Sequence, residues 1–362
     1  QMNRRTWPDT VARAYSNFDT HGYTIDAYTL VEHPEKAGFY VDIPFRAMLP
    51  KGMEGVLVIG LGISAHRDAV PLIRMQPDIQ NGGYAAGVAA AMAAKNHAAL
   101  RSIDIRALQK HLVEIGNLPP EVLEHQDSYP LSMETIAEAV RAIPAGKGAA
   151  VVLADPQRAL PLVREAFAAA EGDAKLTYAQ LLAVLGDASG LDVMLEKLRA
   201  SDSWDPGWNY RGMGQFGSAY SPMDNLVVCI GQTGRKQAVP ALVEKLERLS
   251  AADAFSHHRA VARALELIGD PAAARPLAEL LRKPGMSGYD HPNLEAALRH
   301  EVPGGTNAET SRRESLRELL LARALYRCGD HEGLGRRILE NYAKDLRGHL
   351  ARHAQAVLDE RR

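Results

Sequence analysis

Gly60-Leu61-Gly62-Ile63-Ser64, Arg74 and Asn81-Gly82-Gly83-Tyr84 are the residues of this chain whose types and spacing suit ligand chemistry. Glycine lets backbone come close to a ligand or a neighbouring element. Asn81 reads as the N-cap of an alanine-dense helix over residues 84–95. The unpaired N–H groups at such a helix start favour negative charge by about 0.3–1 kcal/mol when exposed. A planar, electron-rich ring lying on that helix end would need the close approach that Gly82, Gly83 and Gly87 allow. Arg74 suits a phosphate, a carboxylate substrate or an electron-rich ring, and equally a structural ion pair. Ser64 lacks the surroundings of a nucleophile elbow, which argues against hydrolase chemistry. His21, His33 and His66 are titratable, but none stands out as a general base.

The elements that must position these residues fall into two regimes. Up to about Pro120, short β-like runs alternate with glycine turns. Residues 39–44 read as a strand between Gly38 and Pro44. Val56-Leu57-Val58-Ile59-Gly60 reads as a strand buried on both faces, as in a parallel sheet, with Gly60 and Gly62 at the end where such sheets hold ligands. Ser102-Ile103-Asp104-Ile105 opens a further helix over 106–115, closed by Gly116.

From about Leu131 strands give way to a repeat of apolar helix, Gly-acid turn and second helix. The turns are Ala154-Asp155, Gly186-Asp187, Gly231-Gln232, Gly269-Asp270 and Gly329-Asp330, spaced by 32, 45, 38 and 60 residues. Glycine would end one helix in a left-handed conformation and the polar residue would cap the next. The spacing brackets the period of about 40 residues of HEAT repeats, and these units resemble HEAT repeats, including the lyase-associated kind. The resemblance implies stacked helix pairs making a scaffold or binding surface.

Lys and Arg number 42 against 44 Asp and Glu, which excludes a protein held to nucleic acid or a membrane surface by a global basic field. Charged residues at 24% and hydrophobic ones at 46% exclude wholesale disorder. Cys229 and Cys328 are too few for a disulfide framework or a cysteine-rich metal site. The longest weakly polar run, residues 82–94, falls short of the roughly 20 residues of a membrane span. His257-His258 would point about 100° apart on one helix, and with Asp290-His291 and His300 they do not read as a metal site. The aromatic, glycine-rich insertion Ser203-Trp204-Asp205-Pro206-Gly207-Trp208 through Phe216 reads as a loop packed between repeats, or one that touches a sugar-like or aromatic substrate.

The ordered set from Tyr40-Val41-Asp42-Ile43-Pro44 through Gly55–Ala65 and Ile73-Arg74-Met75 to Asn81–Ala90 resembles the C-terminal end of the FAD-dependent oxidoreductase family of two-domain flavoproteins. The resemblance covers roughly residues 39–116. It implies a strand ending in a Gly-x-Ile-Ser-like turn, an Arg-containing segment, and a Gly/Ala-rich helix aimed at the flavin. Gly60, Gly62, Ile63, Ser64, Arg74, Asn81, Gly82, Gly83 and Tyr84 would then face FAD. The implied chemistry is hydride transfer between a small organic substrate and the flavin.

The family's opening Gly-x-Gly-x-x-Gly is not found in this region. Gly60-Leu61-Gly62 matches its first half, and Ala65 stands where the third glycine would be. The chain opens Gln1-Met2-Asn3-Arg4-Arg5, without an initiator Met or a following apolar run. The expectation is therefore the C-terminal part of a larger oxidoreductase, with a nucleotide-binding segment or subunit elsewhere and no activity of these residues alone. The fold expected is an α+β partial flavin-binding lobe over 1–118, a linker over 119–130 and an all-α HEAT-like solenoid over 131–362. The other reading is a non-catalytic HEAT-repeat scaffold carrying a degenerate flavin lobe.

Overall fold

The computed structural model describes residues 5–16, 19–20, 26–32, 39–208, 215–216, 220–300 and 311–360. His21 and His33 lie outside them, as do residues 209–214 of the glycine-rich insertion. The chain forms two compact units, Gln1–Ala159 with Met213–Ser218, and Leu160–Gly212 with Ala219–Arg362. The first is α+β and the second is almost wholly helical among the described residues.

In the first unit β1 (Thr10–Ser16) begins the chain's regular structure. The two-residue strands β2 (Asp19–Thr20) and, much later, β4 (Gln215–Phe216) pair antiparallel. β1 pairs antiparallel with β3 (Phe39–Pro44), with Arg13 opposite Asp42 and Ala14 opposite Val41. Val11, Ala14, Val41 and Ile43 are buried, and the Arg13 guanidinium meets Asp42 at 2.7 Å. An ion pair is tolerated at that depth because each charge has its partner and is spared an isolated desolvation cost.

Helices α1 (Gln76–Lys95) and α2 (Ile105–Glu114) cover β1. α1 buries a small-residue face, Ala85, Ala86, Ala89 and Ala93. Asp104 caps α2 by accepting from the Ala107 N–H at 3.0 Å. Gln109, fully buried on α2, donates to the carbonyls of Pro8 and Thr10 and so ties the helix to the start of β1. Leu118 and Val122, either side of Pro119-Pro120, complete the same core with Phe45, Met48, Leu108 and Leu112.

Two local expectations are corrected. Residues 56–59 form no strand: Val56 and Ile59 are 40% and 43% exposed, and Val58 N–H reaches only the Met48 carbonyl. An apolar run becomes a strand only when it pairs with another, and the described strands pair as β1 with β3 and β2 with β4, without this run. Asn81 is not an N-cap. The helix begins at Gln76, after Met75 in extended conformation, with Pro77 near its start, where a missing N–H costs nothing. Gly82 and Gly83 therefore lie inside the helix, and their N–H groups are not a free helix terminus.

Helices α3 (Met133–Ala142) and α4 (Ala149–Ala154) complete the first unit, and α5 (Pro156–Ala169) follows. In the second unit come α6 (Gly172–Val184), α7 (Leu191–Arg199), α8 (Pro222–Gln232), α9 (Val239–Glu247), α10 (Phe255–Ile268) and α11 (Ala274–Arg282). After them come α12 (Leu294–Leu298), α13 (Arg312–Arg327), α14 (Leu334–Tyr342) and α15 (Gly348–Asp359). α6 packs on α8, α8 on α10 and α10 on α13, while α7 meets α9 and α9 meets α11. The Gly-acid turns do locally what their chemistry dictates. Gly269, at φ 64°, ends α10, and the Asp270 carboxylate then accepts the Ala272 N–H. Gly231 differs: it stays helical, and the left-handed residue is Gly234.

Candidate functional site

The glycine-rich turn and α1 of the first unit come together. Gly60–Gly62 is a single 3-10 turn, with Gly60 at φ 63°. A Cβ on Gly60 would stand 3.5 Å from Ile79 Cγ2, and one on Gly83 would stand 3.6 Å from Ile59 Cδ1. The turn thus lies along the part of α1 that carries Ile79 and Gly83. Ser64 holds it to the preceding segment through its N–H on the Ala47 carbonyl at 3.1 Å. Ile63 is half-buried against the core, while Leu61 is 68% exposed.

Glycine inside a helix costs roughly 0.5–1 kcal/mol relative to alanine. Packing does not require that cost on α1. A Cβ at Gly82 or Gly83 would meet only ordinary contacts, at 3.8 and 3.6 Å, and one at Gly87 would meet nothing within 4 Å. These glycines therefore keep a helix surface low without any described neighbour demanding it. Exposed apolar side chains crowd the adjoining segment: Met53, Val56, Ile59 and Leu61.

At the true start of α1 lies a residue that the sequence reading passed over. Asp78 is 7% exposed; its Oδ1 accepts the Tyr15 N–H at 3.1 Å, and its Oδ2 is buried without a hydrogen-bond partner. Burial pushes its carboxyl above the usual carboxylate range, against the opposing pull of the Tyr15 N–H. A protonated Oδ2 is a hydrogen-bond donor left unused. The available signal was an acid directly after Pro77, in the first turn of the helix rather than on its exposed face.

The remaining expected site residues disperse. Arg74 is half-buried two residues before α1. Asn81 is exposed, and its carbonyl accepts from the Asn117 side chain at 3.5 Å. Tyr84 is 47% exposed and turned to α2, its hydroxyl 3.0 Å from His111 Nε2 and its ring stacked on that imidazole. His66 caps a 3-10 helix by accepting the Asp68 N–H.

For the flavin implied by the resemblance, the helix surface with spare room and the exposed apolar segment fit a planar ring, while the Asp78 oxygen lies on the buried face of α1, away from Gly87. They do not fit the diphosphate. The N–H groups of Gly62, Ile63 and Ser64 are all spent on the carbonyls of Ile59, Gly60 and Ala47. Among the described residues no group of three metal-ligating side chains exists, and no helix is long and apolar enough to cross a membrane.

No curated protein matches the chain. Among solved structures, the complex of CpcE and CpcF of phycocyanin lyase from Nostoc sp. PCC7120 is similar at 19% identity. That likeness covers 55% of this chain and 75% of that one, with a TM-score of 0.30, too loose a superposition to carry an argument. Residues 1–112 match the family described as FAD dependent oxidoreductase, so the N-terminal part of this chain is similar to an FAD-dependent oxidoreductase region.

Proposed function

We propose that the first unit supplies the ring-facing part of an FAD-dependent oxidoreductase, transferring a hydride between a small organic substrate and the flavin. The observation that carries this reading is the family match over residues 1–112. The glycines of α1, which packing does not explain, support it. Bound FAD would supply the hydride chemistry itself. Gly83 and Gly87 would let the ring lie close to the helix, and Ile59 and Leu61 would shield it from water. Gly60, Gly62, Ile63 and Ser64 would shape the turn beside it. The positive end of α1 would face its electron-rich edge. Arg74, Asn81, Gly82 and Tyr84 remain assigned to the rim of this surface.

Gly60-Leu61-Gly62 is only half a dinucleotide fingerprint, so the AMP end of FAD is assigned to a nucleotide-binding segment or subunit outside residues 39–116. We further read the chain as a flavin lobe over 1–118 and a linker over 119–130, followed by a HEAT-type solenoid over 131–362. The successive packing of α6, α8, α10 and α13 favours that solenoid, and it would serve as a scaffold.

The test is the visible absorbance spectrum of the purified whole protein, before and after addition of FAD. The expected result is bound flavin or saturable uptake. Gly83→Ala and Gly87→Ala should each leave stability unchanged or raise it by about 0.5–1 kcal/mol in a thermal melt, while weakening FAD binding. A protein that carries no flavin and takes up none would sink the oxidoreductase reading and leave the scaffold.

A further inference from the structure

The exposed side of α1 lies between two walls of different chemistry. At about 100° per residue, Gly83, Gly87 and Tyr84 follow one another round the helix, about 40° and then about 60° apart. They lie opposite the buried Ala85, Ala86, Ala89 and Ala93. The turn carrying Ile59 stands on the Gly83 side, where a Cβ would come to 3.6 Å from it. α2 stands on the Tyr84 side. There the Tyr84 hydroxyl lies 3.0 Å from His111 Nε2, the two rings stack, and Asn117 donates to the Asn81 carbonyl. Between the walls, a Cβ on Gly87 would meet nothing within 4 Å.

Residues 56–65 and 79–94 contain no Asp, Glu, Lys or Arg. A carboxylate, phosphate or ammonium group leaving water beside these two segments would find no counter-charge on them. An alcohol bears no such cost. Its hydroxyl can bond Tyr84, and its apolar body can lie against Ile59, Leu61 and Ile115, all exposed. A phenol hydrogen-bonded to an imidazole is also an acid–base couple, which the oxidation of an alcohol requires.

We propose that Tyr84 is the catalytic acid–base group of the hydride transfer, that His111 positions it and takes up its proton, and that the substrate is an uncharged alcohol. This inference rests on the flavin reading above. With its ring proton on Nδ1, His111 accepts from the Tyr84 hydroxyl and leaves the phenol oxygen free to accept from the substrate. As the carbinol carbon passes its hydrogen with both electrons to the flavin, the carbinol O–H proton moves to the Tyr84 oxygen. The phenol's former proton moves to His111 Nε2, and the half-buried imidazole returns a proton to water. The alcohol leaves as an aldehyde or ketone, oxidised by the two electrons that the flavin gains.

The whole protein is first titrated with FAD and followed by absorbance; failure to bind overturns the flavin reading and this inference with it. In the loaded protein, anaerobic reduction by cyclohexanol and by benzyl alcohol is followed by bleaching of the flavin. Tyr84→Phe should bind FAD as the wild type does. It should slow reduction at saturating alcohol by at least about a hundredfold, with a smaller change in KM, and lose the solvent deuterium isotope effect of the wild type. His111→Gln can still accept from the phenol but cannot take up its proton, and should slow reduction by at least about tenfold. Cyclohexanone, the unreactive product, gives a readout without turnover. It should shift the imidazole resonances of His111, identified by their loss in His111→Gln, saturably in the wild type and not in Tyr84→Phe. FAD bound without reduction by either alcohol, wild-type rates in either variant, loss of FAD binding in Tyr84→Phe, or no response of His111 to cyclohexanone would overturn the assignment and leave the flavin reading standing.

Discussion

His257 shows how one residue of the helical unit is decided by its partners. Its Nδ1 lies 2.6 Å from Asp224 Oδ1 and its Nε2 lies 3.0 Å from the Asp205 carbonyl, so the charged imidazole, with a proton on each nitrogen, suits both acceptors. Trp204 stacks on it at 4.3 Å. Burial alone would lower its pKa, but the hydrogen bond and charge of Asp224 outweigh burial and raise it. The stability it contributes is therefore full below its unfolded pKa of about 6.5 and is lost as pH rises through the elevated folded value. Melts of the wild type at pH 6 and pH 8.5 should show that loss. His257→Ala should cost about 3–5 kcal/mol at pH 6, by leaving the buried Asp224 with only the Ser221 N–H and no counter-charge, and should flatten the difference. The adjacent histidines 257 and 258 prompted a metal reading in the sequence that their spacing argued against. His258 in fact bonds the carbonyls of Ala254 and Ser250. Asp78, by contrast, drew no notice, because burial of one oxygen is not written in neighbouring letters.

Elements were legible where their signals are local. Asp104 before α2, Gly116 after it and the left-handed Gly269 act through residues within four positions. The strand read at residues 56–60 and the cap read at Asn81 failed for one reason: each was inferred without its competitor. A strand needs a partner, and Asn81 was outbid by Pro77, four residues upstream. Gly231 carries the clearest element-scale prediction. A Cβ there would lie 2.4 Å from Ala264 Cα, where α8 and α10 touch. Gly231→Ala, which would stabilise an isolated helix by about 1 kcal/mol, should here destabilise by about 1–3 kcal/mol in denaturant titration. Gly87→Ala on α1 is its control, with the same substitution and open space.

At the scale of the molecule, the near balance of charge and the two thiols constrain what the whole chain does. Cys229 and Cys328 are buried in the helical unit, and burial pushes both thiols up to about 12. A disulfide reagent at pH 8 should therefore modify neither in the folded protein and both in denaturant, so thiol labelling times the opening of that unit. The sequence by itself determined the division into a glycine-rich α+β start and a helical remainder, the positions of the helix-ending turns, and the likeness to flavoproteins. All of these rest on spacing within a few residues, or on an ordered string of motifs. Tertiary structure alone decided that residues 56–59 lie without a sheet and that Asp78 keeps an oxygen unpartnered. Those facts depend on which helices and strands become neighbours, and that is settled by packing across tens of residues, where no local pattern of side chains carries the answer.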